Sequence, residues 1–280
     1  MLVVPIKKTT DKFIGQAISK GRIVVPNSFS PVKCGKLFLI DDVSQLGISF
    51  PQQAIEILAE NNQPLEILRA QDLAFNLSKL IREKNNPVLV GGGGVLTYFL
   101  LRNARYEKEP KQIIEVERDY SSGKPVCRLL RAEKLSSNLI IDDVLASGQT
   151  ISTILSNQSR QSEIDLACLV ASSNIPKGNE GYRIRQNSTM TGIRTLYSTQ
   201  FVNGQRQKTG YDAKPAILSL RYLITKAVNN DDYAKNYLAN KFGGLQKAEA
   251  IRDLLSRVDT EPLNLLRRNP KEFLDKWKVK

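Results

Sequence analysis

The stretch Leu139-Ile-Ile-Asp-Asp-Val-Leu-Ala-Ser-Gly-Gln-Thr-Ile151 constrains this chain more than any other. A short apolar run ends in two adjacent carboxylates, passes through small residues and resumes with helical spacing. That order predicts a buried strand whose C-terminal end opens through a loop into a helix. Open α/β sheets hold their ligands at such strand ends. The loop from Ala146 through Ser147, Gly148 and Gln149 to Thr150 can offer successive backbone N–H groups to one phosphate, helped by the helix dipole and by the Ser147 and Thr150 hydroxyls. Gly148 lets the backbone approach closely. Asp142 and Asp143 repel a phosphate, but they suit vicinal hydroxyls or a hydrated Mg²⁺. Phosphate and diol together describe a sugar phosphate. The plain alternative is an acidic turn before a capped helix, and the whole pattern in order favours the ligand.

Around this stretch the chain alternates strand and helix signals. Lys36 to Ile40 reads as a buried strand, Pro51 to Glu60 and Asp72 to Glu83 as helices, and Val88 to Val90 as a strand. Gly91-Gly-Gly-Gly94 breaks that strand, and Val95 to Leu101 resumes as a helix. Ile113 to Val116 is the next strand, Asp119 to Pro125 a mobile loop or hairpin, and Ile164 to Ser172 a further buried strand. Strands alternating with helices imply an α/β fold with a central parallel sheet flanked by helices. Beyond Asn174 polar turns and short strand-like pieces follow, at Tyr182 to Ile184 and Thr195 to Tyr197. Helix signals then run over Ala213 to Val228, Asp232 to Leu238, Leu245 to Val258 and Pro270 to Trp277. The expected organisation is an α/β domain over 1–205, its core over 70–175, and a basic helical C-terminal lobe over 206–280. Leu39-Ile-Asp-Asp-Val43 echoes Ile140-Ile-Asp-Asp-Val144, but only the second is followed by the small-residue turn, so the echo reads as a coincidence of strand ends.

Composition narrows the chemistry. The chain has no histidine, which excludes histidine bases, His-dependent triads and His-ligated metals. A formal net charge of +13 favours polyanionic partners, either phosphorylated small molecules or nucleic acid. Cys34, Cys127 and Cys168 are odd in number and lack metal-ligand spacing, as suits reduced thiols in a cytoplasmic protein. No apolar run approaches the length of a membrane span, and Lys7 and Lys8 interrupt the start too early for a signal peptide.

Leu139 to Ile151 resembles the phosphoribosyl diphosphate signature of the type I phosphoribosyltransferases, and the likeness extends more loosely over Pro87 to Ser172. The resemblance implies that family's central parallel sheet, with Asp142 and Asp143 on the ribose hydroxyls and Ala146 to Thr150 on the 5-phosphate. It implies a diphosphate-binding loop at Gly91, Gly92, Gly93 and Gly94, and a flexible loop over Arg118 to Arg128 in which Arg118 and Lys124 are candidate cations for the leaving diphosphate. Mg²⁺ is the implied cofactor, held at Asp142 and Asp143 directly or through water. The implied reaction moves the phosphoribosyl group to a nitrogen acceptor such as a nucleobase, and a homodimer is compatible with it. Ala146 stands where the 6-oxopurine branch has an aspartate, so adenine-type members match better. No base-binding hood is recognisable, and the tail from Ala213 has no counterpart in the family. Tyr182, Arg183, Arg185, Tyr197, Phe201 and Tyr211 are candidates to stack on or pair with an acceptor base.

Two other readings use the same residues. A regulator would sense the sugar diphosphate without turnover and bind nucleic acid through Lys241, Lys247, Arg252, Arg257, Arg267, Arg268, Lys271, Lys276, Lys278 and Lys280. Those residues read more simply as the solvated faces of amphipathic helices, and nucleic acid is not the favoured partner. A hydrolase or phosphorylase would keep the phosphate and diol contacts and need no base.

Overall fold

The computed structural model describes residues 22–24, 37–61, 65–83, 85–119, 126–131, 134–145, 149–156, 164–171, 201–202, 205–206, 217–229 and 231–277. In chain order these form β1 (Arg22–Val24), β2 (Leu37–Asp41), α1 (Gln52–Asn61), β3 (Leu65–Arg69), α2 (Ala70–Ile81), β4 (Val88–Val90), α3 (Gly91–Asn103) and β5 (Gln112–Ile114). There follow β6 (Val116–Asp119), β7 (Val126–Leu129), β8 (Leu139–Leu145), α4 (Gln149–Ser156), β9 (Asp165–Ala171), β10 (Phe201–Val202), β11 (Gln205–Arg206) and β12 (Ile217–Ser219). Five helices complete the chain: α5 (Leu220–Val228), α6 (Asp232–Phe242), α7 (Leu245–Ser256), α8 (Glu261–Arg268) and α9 (Pro270–Lys276).

The expected parallel sheet has five strands in the order β1-β9-β8-β4-β5, and every neighbouring pair is parallel. Its apolar residues divide by the two-residue period of a strand. Leu89, Leu139, Ile141, Ala167 and Leu169 face one core together with Val95 and Leu96 of α3. Val88, Val90, Ile140, Leu166 and Cys168 face the other, together with Ile151 and Ile154 of α4. Both faces are therefore covered, which is why these strands read as unbroken apolar runs rather than alternating ones. The helix after β4 lies on one face and the helix after β8 on the other.

Several elements differ from the sequence expectation. Ile113 to Val116 is not one strand: β5 ends at Ile114, and Val116 begins the antiparallel β6–β7 pair. β6 and β7 flank the stretch expected as a mobile loop or hairpin, whose residues 120–125 lie outside the described residues. The first residues expected to be helical after Ala213 instead include β12, which joins β2 and β3 in a second parallel sheet ordered β12-β2-β3. Phe38, Leu39, Ile40, Leu68 and Leu218 of this sheet share one core with α2, α3 and the C-terminal helices. Helix α8, absent from the sequence reading, begins with Pro262 in its first turn, where proline is tolerated because the N–H it lacks has no intrahelical partner. The strand-like pieces at Tyr182 to Ile184 and Thr195 to Tyr197 lie outside the described residues. Among the described residues no helix is long and apolar enough to cross a membrane.

Candidate functional site

α3 and α4 leave the adjacent strands β4 and β8 toward opposite faces, the divergence that in doubly wound sheets makes a ligand-receiving crevice at the C-terminal strand ends. Both sequence motifs meet there. Asp142 and Asp143 lie within β8, which continues through Val144 to Leu145 instead of ending at the acids as the sequence suggested; the first is 6% exposed and the second half-buried. Oδ1 of Asp142 accepts from the Asp143 N–H at 2.9 Å, and Oδ1 of Asp143 accepts from the Val144 N–H at 2.7 Å. Each carboxylate is thus tied at one oxygen to the backbone just beyond it.

The glycine run lies against this pair. Gly91 to Gly94 form the first turn of α3 rather than the loop expected from sequence. A side chain at Gly93 would put its Cβ 2.5 Å from Cγ of Asp143, and one at Gly94 would run into the carbonyl of Ile141. Close approach of helix to strand is thus what these two positions require of glycine. Gly91 has φ of +52°, a turn that lets the strand enter the helix abruptly. The first-turn N–H groups of α3 have no intrahelical acceptor and carry the positive end of its dipole.

Other expected site residues are placed less completely. Gln149 and Thr150 open α4, with Thr150 buried, whereas Ala146, Ser147 and Gly148 lie outside the described residues. Arg118 sits in β6 opposite Cys127 of β7. Lys124 lies outside the described residues, as do Tyr182, Arg183, Arg185, Tyr197 and Tyr211; Phe201 belongs to β10. Cys127 and Cys168 are free thiols, and Cys34 is outside the described residues.

Sequence reasoning missed Arg221 and Asp42. Ser219 caps α5 by accepting from the Tyr222 N–H at 3.2 Å, and it donates through Oγ to Oδ2 of Asp42 at 2.6 Å. Oδ1 of Asp42 accepts from the Arg221 N–H at 2.9 Å. The Arg221 side chain then lies 3.5 Å from Oδ2 of Asp42 through Nε and 2.5 Å from Oδ2 of Asp143 through Nη2. One guanidinium therefore joins the two Ile-Asp-Asp-Val echoes, which lie on strands of two different sheets. The echo itself was the signal that could have found it. Asp42 is only 3% exposed. Its burial raises the carboxyl above the ordinary aspartate range, against the opposing pull of Arg221 and the Ser219 hydrogen bond.

Among the described residues, four of the ten basic residues named for the C-terminal helices have partners within the chain, two of them in exposed pairs. Lys247 pairs with Glu60 and Lys276 with Glu261, Arg252 donates to the carbonyls of Ala227 and Asn229, and Lys241 is buried beside the Tyr237 ring.

No family model matches the chain, and no curated protein matches it. Among solved structures it is similar to a purine phosphoribosyltransferase from Pyrococcus horikoshii, at 23% identity over 46% of this chain and 84% of that one, with a TM-score of 0.28. It is also similar to a hypoxanthine phosphoribosyltransferase from Staphylococcus aureus, at 18% identity over 54% of this chain and 74% of the other, with a TM-score of 0.24. Both likenesses are slight.

Proposed function

We propose that the chain is a phosphoribosyltransferase that moves the 5-phosphoribosyl group of phosphoribosyl diphosphate to a nitrogen acceptor such as a nucleobase. The observation that carries this reading is the meeting of two motifs at the crevice between β4 and β8, with Gly93 packed on the Asp143 carboxylate. Paired acids suit the ribose hydroxyls, and the helix start at Gly91 and Gly92 suits a phosphate oxygen. In the reaction the acceptor nitrogen's lone pair forms a bond to the anomeric carbon. The bond from that carbon to the diphosphate oxygen breaks, its electron pair leaves with the diphosphate, and any proton on the nitrogen passes to solvent. The protein's part is positioning and electrostatic stabilisation, which a chain without histidine can supply.

Mg²⁺ fits this site only in part. Asp142 and Asp143 each have an oxygen tied to backbone, the second oxygen of Asp143 is ion-paired with Arg221, and no group of three acidic, histidine or cysteine ligands lies among the described residues. Direct ligation at Asp143 would bring the ion against a guanidinium. The acid pair therefore suits contact with a metal only through water, and the residues' own task is to hold hydroxyls.

The test is calorimetric titration of phosphoribosyl diphosphate with Mg²⁺ into the wild type and into Asp142→Asn/Asp143→Asn, followed by a diphosphate-release screen over nucleobases. Binding by the wild type, lost at least tenfold in the double variant, and release with one base are expected. Absence of binding by the wild type removes the reading.

A further inference from the structure

Beside the crevice lies a cavity of about 330 Å³ whose floor is the first turn of α3, with α5 on one side and α8 on the other. It shares that turn with the acid pair. Gly93 packs on Asp143, while a Cβ on the adjacent Gly92 would meet Leu266 of α8 at 3.6 Å and Nη1 of Arg221 at 3.9 Å. We infer that this cavity is the acceptor subsite and that the acceptor is an organic acid, a single ring bearing a carboxylate, rather than an uncharged base. The inference rests on the transfer reading for its use in a reaction, but the cavity's preference for acids stands on its lining alone.

Three guanidinium groups line the space, from Arg221, Arg267 and Arg268, against one carboxylate, Glu115. Arg221 is already shared between Asp42 and Asp143. Arg267 and Arg268 are exposed and make no ion pair among the described residues. A planar guanidinium fork matches a carboxylate in two parallel hydrogen bonds. An uncharged ring would leave the two free arginines and the first-turn amides of α3 serving only water. Apolar side chains also line it, among them Val228 and Leu130, which are 45% and 54% exposed, beside the polar Thr225, Thr260 and Asn264. An inorganic anion gains nothing from such a surface, whereas a ring covers it and removes it from water. Cationic edge and apolar wall together select a molecule that has both an acid group and a hydrophobic face. The C-terminal helices thereby acquire a role as the walls of the acceptor site.

The experiment measures binding to the full chain, without phosphoribosyl diphosphate, of benzoate and pyridine-3-carboxylate against pyridine-3-carboxamide and inorganic pyrophosphate. The expected result is that a carboxylate binds at least tenfold more tightly than the carboxamide. Arg267→Gln/Arg268→Gln should lose tenfold or more of that affinity while its melting temperature stays unchanged. Equal binding of carboxylate and carboxamide, binding indifferent to the double substitution, or failure of either acid to bind overturns the inference. Binding of pyrophosphate alone also overturns it, because the cavity would then belong to the diphosphate. Titration of phosphoribosyl diphosphate into the same proteins separates the two ideas: if it fails to bind the wild type while the acids bind, the transfer reading falls and the acid site stands.

Discussion

The tetrapeptide Ile-Asp-Asp-Val occurs twice, at the end of β2 and within β8, and the protein uses its acids differently at each. At the end of β2, Asp41 closes the turn by accepting from the Ser44 N–H at 3.1 Å. Asp42 is buried under three polar partners, the Ser219 hydroxyl, the Arg221 N–H and the Arg221 side chain. In β8, Asp142 is buried but Asp143 is 17% exposed, and it pairs with Arg221. The first copy is a structural joint that orients an arginine; the second leaves a carboxylate partly exposed. What separates them is their neighbourhood. β2 sits in the middle of a three-stranded sheet with α5 starting directly above it, so its acid is enclosed. β8 adjoins the point where helices diverge, so its acid is not.

The sharpest way to break this contrast is Asp42→Ala against Asp143→Ala. Removing Asp42 leaves the Ser219 hydroxyl and the Arg221 N–H buried without an acceptor and takes one carboxylate from a shared guanidinium, which should cost about 3 kcal/mol. Asp143→Ala should cost about 1 kcal/mol, since its charge is partly screened by solvent, but should weaken ligand binding far more. Chemical denaturation of both variants reads the difference, and equal losses would erase the distinction between joint and site.

A second comparison sets neighbouring glycines against each other. Gly94→Ala meets the Ile141 backbone, which cannot yield, and should cost about 2–3 kcal/mol. Gly93→Ala meets the Asp143 side chain, which can rotate, and should cost about 1 kcal/mol while displacing that carboxylate from the crevice. Thermal melts paired with titration of phosphoribosyl diphosphate should therefore rank the two variants in opposite orders.

The smallest effect is in pH. The raised folded value of Asp42 means that, above the ordinary value of 3.8, the folded chain keeps a proton the unfolded chain has lost. Its contribution to stability is greatest below that value and declines as pH rises through the folded one. The melting-temperature advantage of wild type over Asp42→Asn should therefore narrow as the pH is raised above 3.8. A constant or widening gap would show that burial does not dominate this carboxyl.

Four of the main sheet's five strands were legible as short apolar runs separated by turn-formers, with Val88 to Val90 and Leu139 to Ile141 needing cover on both faces, whereas the edge strand Arg22–Val24 was not read. The acid pair and the glycine run were legible as motifs. The second sheet was not: Ile217 to Ser219 is three residues long and runs straight into a helix with good helical spacing, so local pattern assigned it to that helix. Only pairing with β2, more than 170 residues earlier in sequence, makes it a strand. Helix α8 was hidden by its proline and its brevity.

What the sequence alone determined is the set of local choices: which strands carry acids, where glycine permits close approach, and which chemistries the absence of histidine removes. Tertiary structure decided which strand ends became neighbours. It brought Arg221 to two aspartates distant in sequence, turned the glycine run into a helix start against Asp143, and set α8 across from α5 to enclose a cavity. Such contacts depend on long-range packing, and neither the two-residue nor the 3.6-residue periodicity of a segment records which distant segment will face it.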